Sequence, residues 1–331
     1  MKIHPQLRGR NLLTLCDLSD AEMADLVTLA SRLKDKKRGG DGAGAHLLAG
    51  RNLAMVFEKS STRTRCAATV AANDEGAHIE YLGKHDIHLG KKESVEDTAR
   101  VLGRMFDGIF FRGFEHERVA RLAAAAGVPV WNGLTDDAHP TQILADLQTV
   151  HEHFGTLKGL KAVYVGDGRN NVCRSLMLGC AKMGIDFVNC CPPELAPSEA
   201  DMSTAVEKAG ANGCTSVVEQ DPDSAVRDAN VIYTDVWASM GEEEVFAERA
   251  RLLRPYQVTM EMMENTGHVG DDAVIFLHCL PAFHNRDTAF TAELGALEVT
   301  DDVFEAPFSK VFDEAENRMH TIKAMMVATL Y

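Results

Sequence analysis

The chain is poor in several things at once, and each shortage removes a class of protein. Cations are scarce: 34 Lys and Arg stand against 49 Asp and Glu, a formal charge of −15. That balance argues against a nucleic-acid partner and against adhesion to anionic membranes. No apolar stretch approaches the length of a membrane span, and the opening Met1-Lys2-Ile3-His4-Pro5-Gln6-Leu7 carries neither a secretory nor a transit-peptide pattern. The eight cysteines form no C-x-x-C pair and mostly lie in apolar runs, so reduced thiols and a cytoplasmic location are expected. No Cys/His pair has zinc spacing, which leaves no metal site to expect. Internal repeats and low-complexity segments are also missing.

What remains is an ordinary globular composition, 45% hydrophobic, in 331 residues, enough for a core in each of two domains. On such an acidic chain an anionic ligand needs a local positive pocket. Phe57-Glu58-Lys59-Ser60-Ser61-Thr62-Arg63-Thr64-Arg65 supplies one, lying between the apolar run Asn52–Val56 and the alanine-rich stretch Cys66–Ala72. This reads as strand, turn and helix. A hydroxyl before an alanine-rich helix is the commonest N-cap and needs no ligand. Two arginines in the first turn are another matter, because cations oppose the helix dipole unless an anion offsets them. A phosphate fits, although the Walker glycine spacing and its Gly-Lys-Ser/Thr ending are absent.

Periodicity predicts an amphipathic helix over 18–38 with Ser19 as cap, a Gly-rich loop over 39–50, and then alternating elements. Strands are expected at 52–57, 78–82, 108–112 and 128–131, with helices from Thr62, over 94–105 and over 115–126. A long helix from His139-Pro140 to about Phe154 bridges to a second series. There strands are expected at 161–165, 186–190, 216–218, 231–236 and 273–278, with helices at 171–183, 200–209, 224–229, 242–253 and 256–264, and a closing helix over about 314–330. Such alternation implies right-handed βαβ units. The expected class is α/β, two doubly wound parallel-sheet domains linked by long helices. The first covers 1–150 with the C-terminal helix of 314–331 packed back on it, and the second covers 151–313.

Polar clusters fall just after strands in both halves: Ser61–Arg65, Arg112, Asp167–Asn171, Asp235–Gly241 and Cys279–Pro281. Open α/β sheets bind ligands at the carboxyl ends of their strands. Gly166-Asp167-Gly168 fails the dinucleotide fingerprint, since the third glycine is missing; Asp and Asn there suit an amino-acid head group better than pyrophosphate. His139-Pro140-Thr141-Gln142 is either a plain helix start with Pro at N1 or a pair of neutral donors for a carbonyl oxygen that gathers charge. Cys279, ending a buried strand before Pro281, is by type more often structural than reactive.

Ten segments taken together carry a resemblance. They are 57–66, Asp86-Ile87-His88-Leu89-Gly90, Lys92-Glu93-Ser94, 97–105, 128–135, His139–Gln142, Tyr233–Trp237, Ser239-Met240-Gly241, His278–His284 and Ala315–Ala324. Nearly end to end, the chain resembles the ornithine carbamoyltransferases. Ser-Thr-Arg-Thr-Arg and His-Pro-Thr-Gln are shared with aspartate carbamoyltransferases, whereas Ser-Met-Gly with His-Cys-Leu-Pro points to ornithine.

The resemblance implies carbamoyl transfer from carbamoyl phosphate to the side-chain amine of L-ornithine, giving citrulline and phosphate without metal or nucleotide cofactor. It places carbamoyl phosphate on Ser61, Thr62, Arg63, Thr64, His88, Arg112, His139, Gln142, Cys279, Leu280 and Arg318. Ornithine falls to Asn171, Asp235, Ser239 and Met240. Catalysis falls to Arg63, Arg112, His139, Asp235, Cys279 and Arg318. The loop around 83–93 would reach into a neighbouring subunit, bringing His88 in trans, so the expected assembly is a trimer or a multiple of trimers, with small-molecule substrates as the other partners. Two alternatives stay open at this point: a carbamoyltransferase for another amine such as putrescine or a modified ornithine, and a non-catalytic metabolite-binding homologue.

Overall fold

The computed structural model describes residues 5–39, 46–87, 89, 90, 92–237 and 246–331. They divide into two compact units, one of Met1–Gln148 with Glu316–Tyr331 and one of Thr149–Ala315.

In the first unit, α1 (Asp20–Arg38) opens on a capping box in which Ser19 and Glu22 satisfy each other's backbone N–H. Then follow β1 (Asn52–Phe57), α2 (Thr62–Asp74), β2 (His78–Gly83), α3 (Val95–Met105), β3 (Gly108–Arg112), α4 (His116–Ala126), β4 (Val130–Leu134) and α5 (Pro140–Phe154). The four strands run parallel in the order β2-β1-β3-β4. Leu53, Ala54, Met55 and Val56 are all buried, as a parallel sheet covered on both faces requires. Ala54, Val56, Ile109, Phe111 and Val130 pack with Ala99 and Leu102 of α3 and Val119 and Leu122 of α4.

The second unit continues with β5 (Lys161–Val165), α6 (Asn171–Met183), β6 (Asp186–Cys190), α7 (Glu199–Asn212), β7 (Ser216–Glu219), α8 (Pro222–Val226), β8 (Val231–Thr234), α9 (Phe246–Leu253), α10 (Met260–Glu264), β9 (Ile275–His278), α11 (Thr291–Leu294), α12 (Asp301–Phe304) and α13 (Val311–Leu330). Its five strands are parallel in the order β7-β6-β5-β8-β9. The two unit boundaries fall inside α5 and α13. In each sheet the chain leaves one central pair in opposite directions, β1/β3 in the first and β5/β8 in the second, and such a switch point opens a crevice at the strands' carboxyl ends.

Several expected elements shift. β4 starts and ends later than 128–131, because buried Asn132 continues the strand by donating its backbone N–H to Leu12 O and its side-chain amide to Leu13 O. The helix expected at 224–229 is displaced to Pro222–Val226, where Asp221 accepts from the Asp223 N–H and Pro222 occupies the first turn. The closing helix starts at Val311 rather than 314. One-turn helices α11 and α12 carry too little periodicity to read from sequence. Among the described residues no helix is long and apolar enough to cross a membrane.

The C-terminal part of α13 is anchored by charge as well as by Ile322, Met325 and Met326. Lys323, 1% exposed, donates to Asp74 Oδ2 at 2.6 Å, and Lys34 donates to Asn317 Oδ1 at 2.6 Å. His320 lies 3.3 Å from Glu316 Oε1, and burial first, then the Lys323 and Lys34 charges, push its pKa from 6.5 down to about 4 against the pull of Glu316. The unfolded chain therefore takes up this proton near pH 6.5 and the folded one only near 4, so stability present above 6.5 is lost as pH falls toward 4. The melting temperature is expected to drop between about pH 7 and about pH 5, and to drop less in His320→Gln. Equal slopes in the two proteins would contradict this assignment.

Candidate active site

In the first unit the site is built where β1 and β3 end. Ser61 caps α2 by accepting the Thr64 N–H at 3.2 Å, so the structural reading of that hydroxyl holds. The cations are not explained by a cap. Arg112, the last residue of β3 and 8% exposed, donates from Nη1 to Thr64 Oγ1 at 3.2 Å. Arg318, on α13 and 3% exposed, donates from Nη2 to the same oxygen at 2.8 Å and from Nη1 to Gln142 Oε1 at 2.8 Å. Two buried guanidiniums thus converge on one hydroxyl at the positive end of a helix, and their mutual repulsion favours an anion beside them.

The Arg63 charge acts on the same site, where it bears on His139. The Arg65 guanidinium lies 3.7 Å from the centroid of the Tyr81 ring, a cation–π contact on β2. His139, 3% exposed, directly precedes α5, with Thr141 Oγ1 3.5 Å from its Nδ1. Burial lowers its pKa well below 6.5, and the charges of Arg318, Arg112, Arg63 and Lys59 lower it further. The ring is a neutral imidazole among cations, suited to donate to a carbonyl oxygen. Gln142 sits one turn along, its Nε2 donating to Asp146 Oδ1 at 2.8 Å, so that its oxygen rather than its amino group meets Arg318.

In the second unit the ends of β5, β8 and β9 converge. Gly166, at φ 147°, turns the chain out of β5 with a backbone few other residues adopt. Asp167 is engaged by Arg169 through Nε and Nη2, both at 3.1 Å, which leaves Asp235 as the central carboxylate of this cluster. Asp235, 7% exposed, accepts the Cys279 thiol at 3.1 Å and its own neighbour Val236 N–H at 2.8 Å on Oδ1, and the Asn170 amide at 3.0 Å on Oδ2. Asn171 is the first residue of α6, next in the chain to Asn170. Leu280 follows at φ 57° with its N–H donated to His278 Nδ1 at 2.9 Å.

The structure thus gathers Ser61, Thr62, Arg63, Thr64, Arg112, His139, Gln142 and Arg318 in one unit, and Asn171, Asp235, Cys279 and Leu280 in the other. His88, Ser239 and Met240 lie outside the described residues. Among the described residues two groups have ligand atoms close enough together to hold a metal ion: Asp235, His278 and Cys279, and the more exposed His284, Asp301 and Glu305. Spacing within the chain does not reveal either, since each is assembled from separate strands or turns. Sequence reasoning missed Glu314 and Glu298, and it held Asn170 only as part of the Asp167–Asn171 cluster, with no role of its own. A lone acid in the apolar run Leu297-Glu298-Val299 was the available signal for the second.

Family models match both halves: an aspartate/ornithine carbamoyltransferase carbamoyl-P binding domain over residues 10–152, and the Asp/Orn binding domain of the same family over residues 158–329. The chain belongs to the aspartate/ornithine carbamoyltransferase family. Within that family it is 57% identical over 330 residues to a catabolic ornithine carbamoyltransferase of Bacillus licheniformis, covering 98% of this chain and 97% of that one. It is 54% identical over 330 residues to the catabolic ornithine carbamoyltransferase of Staphylococcus aureus, with the same coverage. Among solved structures it superposes on ornithine carbamoyltransferase from Pyrococcus furiosus with a TM-score of 0.89 at 43% identity, covering 98% of both chains.

A carbamoyltransferase site of this build makes a prediction about His139. Followed by NMR between about pH 6 and about pH 8, its imidazole is expected to stay neutral throughout, because its pKa lies below the usual ~6.5. A titration midpoint near the usual value would contradict the placement of three arginines around it.

Proposed function

We infer that the chain transfers the carbamoyl group of carbamoyl phosphate to the side-chain amine of L-ornithine, releasing L-citrulline and phosphate. The observation that carries this reading is the convergence of Arg112 and Arg318 on Thr64 Oγ1 beside a neutral His139. Cations at a helix start suit a phosphate, and a neutral imidazole suits the adjoining carbamoyl oxygen.

In this reading Ser61, Thr62, Arg63, Thr64 and Arg112 hold the phosphate. Arg318 and His139 donate to the carbamoyl oxygen, and Gln142 orients Arg318. Asn171, Asp235, Ser239 and Met240 hold ornithine. The δ-amine, with a reference pKa of ~10.4 like that of lysine, arrives protonated. Asp235 and Cys279 orient it, and one proton passes to the Asp235 carboxylate before attack, while the second leaves the nitrogen with the departing phosphate after it adds. The neutral nitrogen then adds to the carbamoyl carbon. The guanidiniums and His139 stabilise the tetrahedral oxyanion, and phosphate departs toward the start of α2, each such donor contributing roughly 3–4 kcal/mol.

The reading extends to a homo-oligomer, a trimer or a multiple of it, in which the loop around 83–93 brings His88 to a neighbour's site. Exposed Val101 and Met105 on α3 support an assembly by leaving apolar surface to cover. A cytoplasmic location accords with cysteines that are all free among the described residues.

Incubation with carbamoyl phosphate and ornithine is expected to yield equimolar citrulline and phosphate, with putrescine far slower in a parallel assay. Faster turnover of the diamine would overturn the choice of ornithine. Arg63→Ala is expected to lower kcat/KM at least ~100-fold, as loss of a preorganised charge does. Activity within about twofold of wild type would put the phosphate elsewhere.

A further inference from the structure

His278 and the residues after it form a turn that the transfer reading uses only at Cys279 and Leu280. The turn is held from below by two acids. Glu314, 1% exposed, accepts the His278 backbone N–H at 2.9 Å and the Tyr233 hydroxyl at 3.2 Å, so it ties the end of β9 to β8. Glu298 is fully buried. Its Oε1 accepts the Phe283 N–H at 2.6 Å and lies 3.1 Å from His278 Nε2.

The hydrogen bonds assign the imidazole. His278 Nδ1 accepts the Leu280 N–H, so it carries no proton; the ring's proton sits on Nε2 and points at Glu298 Oε1. One carboxylate oxygen therefore holds the far end of the turn directly, through Phe283, and its near end through the ring. Between them Leu280 sits at φ 57°, a left-handed conformation that a residue with a β-carbon leaves unless its neighbours hold it. The other oxygen, Oε2, is buried and meets no hydrogen-bond donor among the described residues. Cys279 lies inside the stretch so held, and its thiol meets Asp235 Oδ1 at 3.1 Å.

We propose that Glu298 is a positioning residue for carbamoyl transfer: through His278 and Phe283 it fixes the turn that sets Cys279 against Asp235. This rests on the transfer reading for its kinetic consequence but not for its geometry. The reach of Oε1 matters, not the charge, because the unpartnered Oε2 can be replaced by an amide nitrogen without losing a hydrogen bond.

Two substitutions separate reach from charge. Glu298→Gln keeps an oxygen at the same distance and removes the charge; Glu298→Asp keeps the charge and draws the oxygen back by one methylene. With both melting temperatures recorded, kcat in Glu298→Gln is expected within about threefold of wild type, and in Glu298→Asp at least ~10-fold lower with the KM for carbamoyl phosphate within about threefold. In substrate-free protein, iodoacetamide is expected to label Cys279 at least ~3-fold faster in Glu298→Asp, read by peptide mass, once the thiol is released from Asp235. Wild-type kcat and labelling in Glu298→Asp would overturn the proposal, and so would Glu298→Gln falling as far as Glu298→Asp. If Glu298→Asp does not fold, Glu298→Gln decides alone: about threefold supports, ~10-fold contradicts. If wild type makes no citrulline, the transfer reading fails and the labelling rates still decide the positioning.

Discussion

Two buried guanidiniums sharing one threonine hydroxyl is the constraint around which the first unit is arranged. Arg112 reaches Thr64 from the end of β3 and Arg318 from α13. Like charges in a poorly solvated place repel, and nothing about a helix N-terminus relieves them, since its own partial charge is positive. The surrounding fold brings them together regardless. Lys34 on Asn317 and Lys323 on Asp74 pin α13 on either side of Arg318, and Gln142 steadies its other nitrogen. The same concentration of positive charge lowers the His139 pKa and so makes the imidazole a donor of neutral charge. One electrostatic choice thus governs both the anion and its neighbour.

The second unit works by the opposite sign. Asp235 stands at the end of β8, steadied by Asn170 and Val236 N–H, with the Cys279 thiol directed into it. Beneath, Glu314 and Glu298 grip the His278 turn. Carboxylates suit a cationic amino-acid ligand as guanidiniums suit a phosphate. A switch point in each parallel sheet is where the topology permits such a cluster, and both clusters sit at theirs.

Much of this is legible in the amino-acid sequence. Asn52–Phe57, Gly108–Arg112, Lys161–Val165, Asp186–Cys190 and Asn171–Met183 match the expected bounds, because apolar runs between turn residues leave a parallel strand or its crossover helix little freedom. β4 was displaced because Asn132 looks like loop and is satisfied only by the distant Leu12–Leu13 segment. At the site, Ser61, Arg112 and Asp235 follow strands and announce themselves. Arg65 was misleading: its neighbour in sequence is the anion site, but its neighbour in space is Tyr81. Glu298, marked only by its apolar neighbours, and Glu314 showed no role in the sequence for the converse reason. A buried acid has meaning only through the backbone N–H groups it accepts, and those belong to residues far along the chain.

The central claim is that the guanidinium pair exists to hold an anion, and the most direct test is thermal. Melting temperature should be followed in wild type and in Arg318→Met as inorganic phosphate is raised, with chloride at matched ionic strength as control. A bound anion stabilises the native state by mass action, about 2.7 kcal/mol at a hundredfold excess over its dissociation constant, so wild type is expected to melt progressively higher. Arg318→Met is expected to lose most of that rise. A wild type indifferent to phosphate, or a variant that responds equally, would contradict the account.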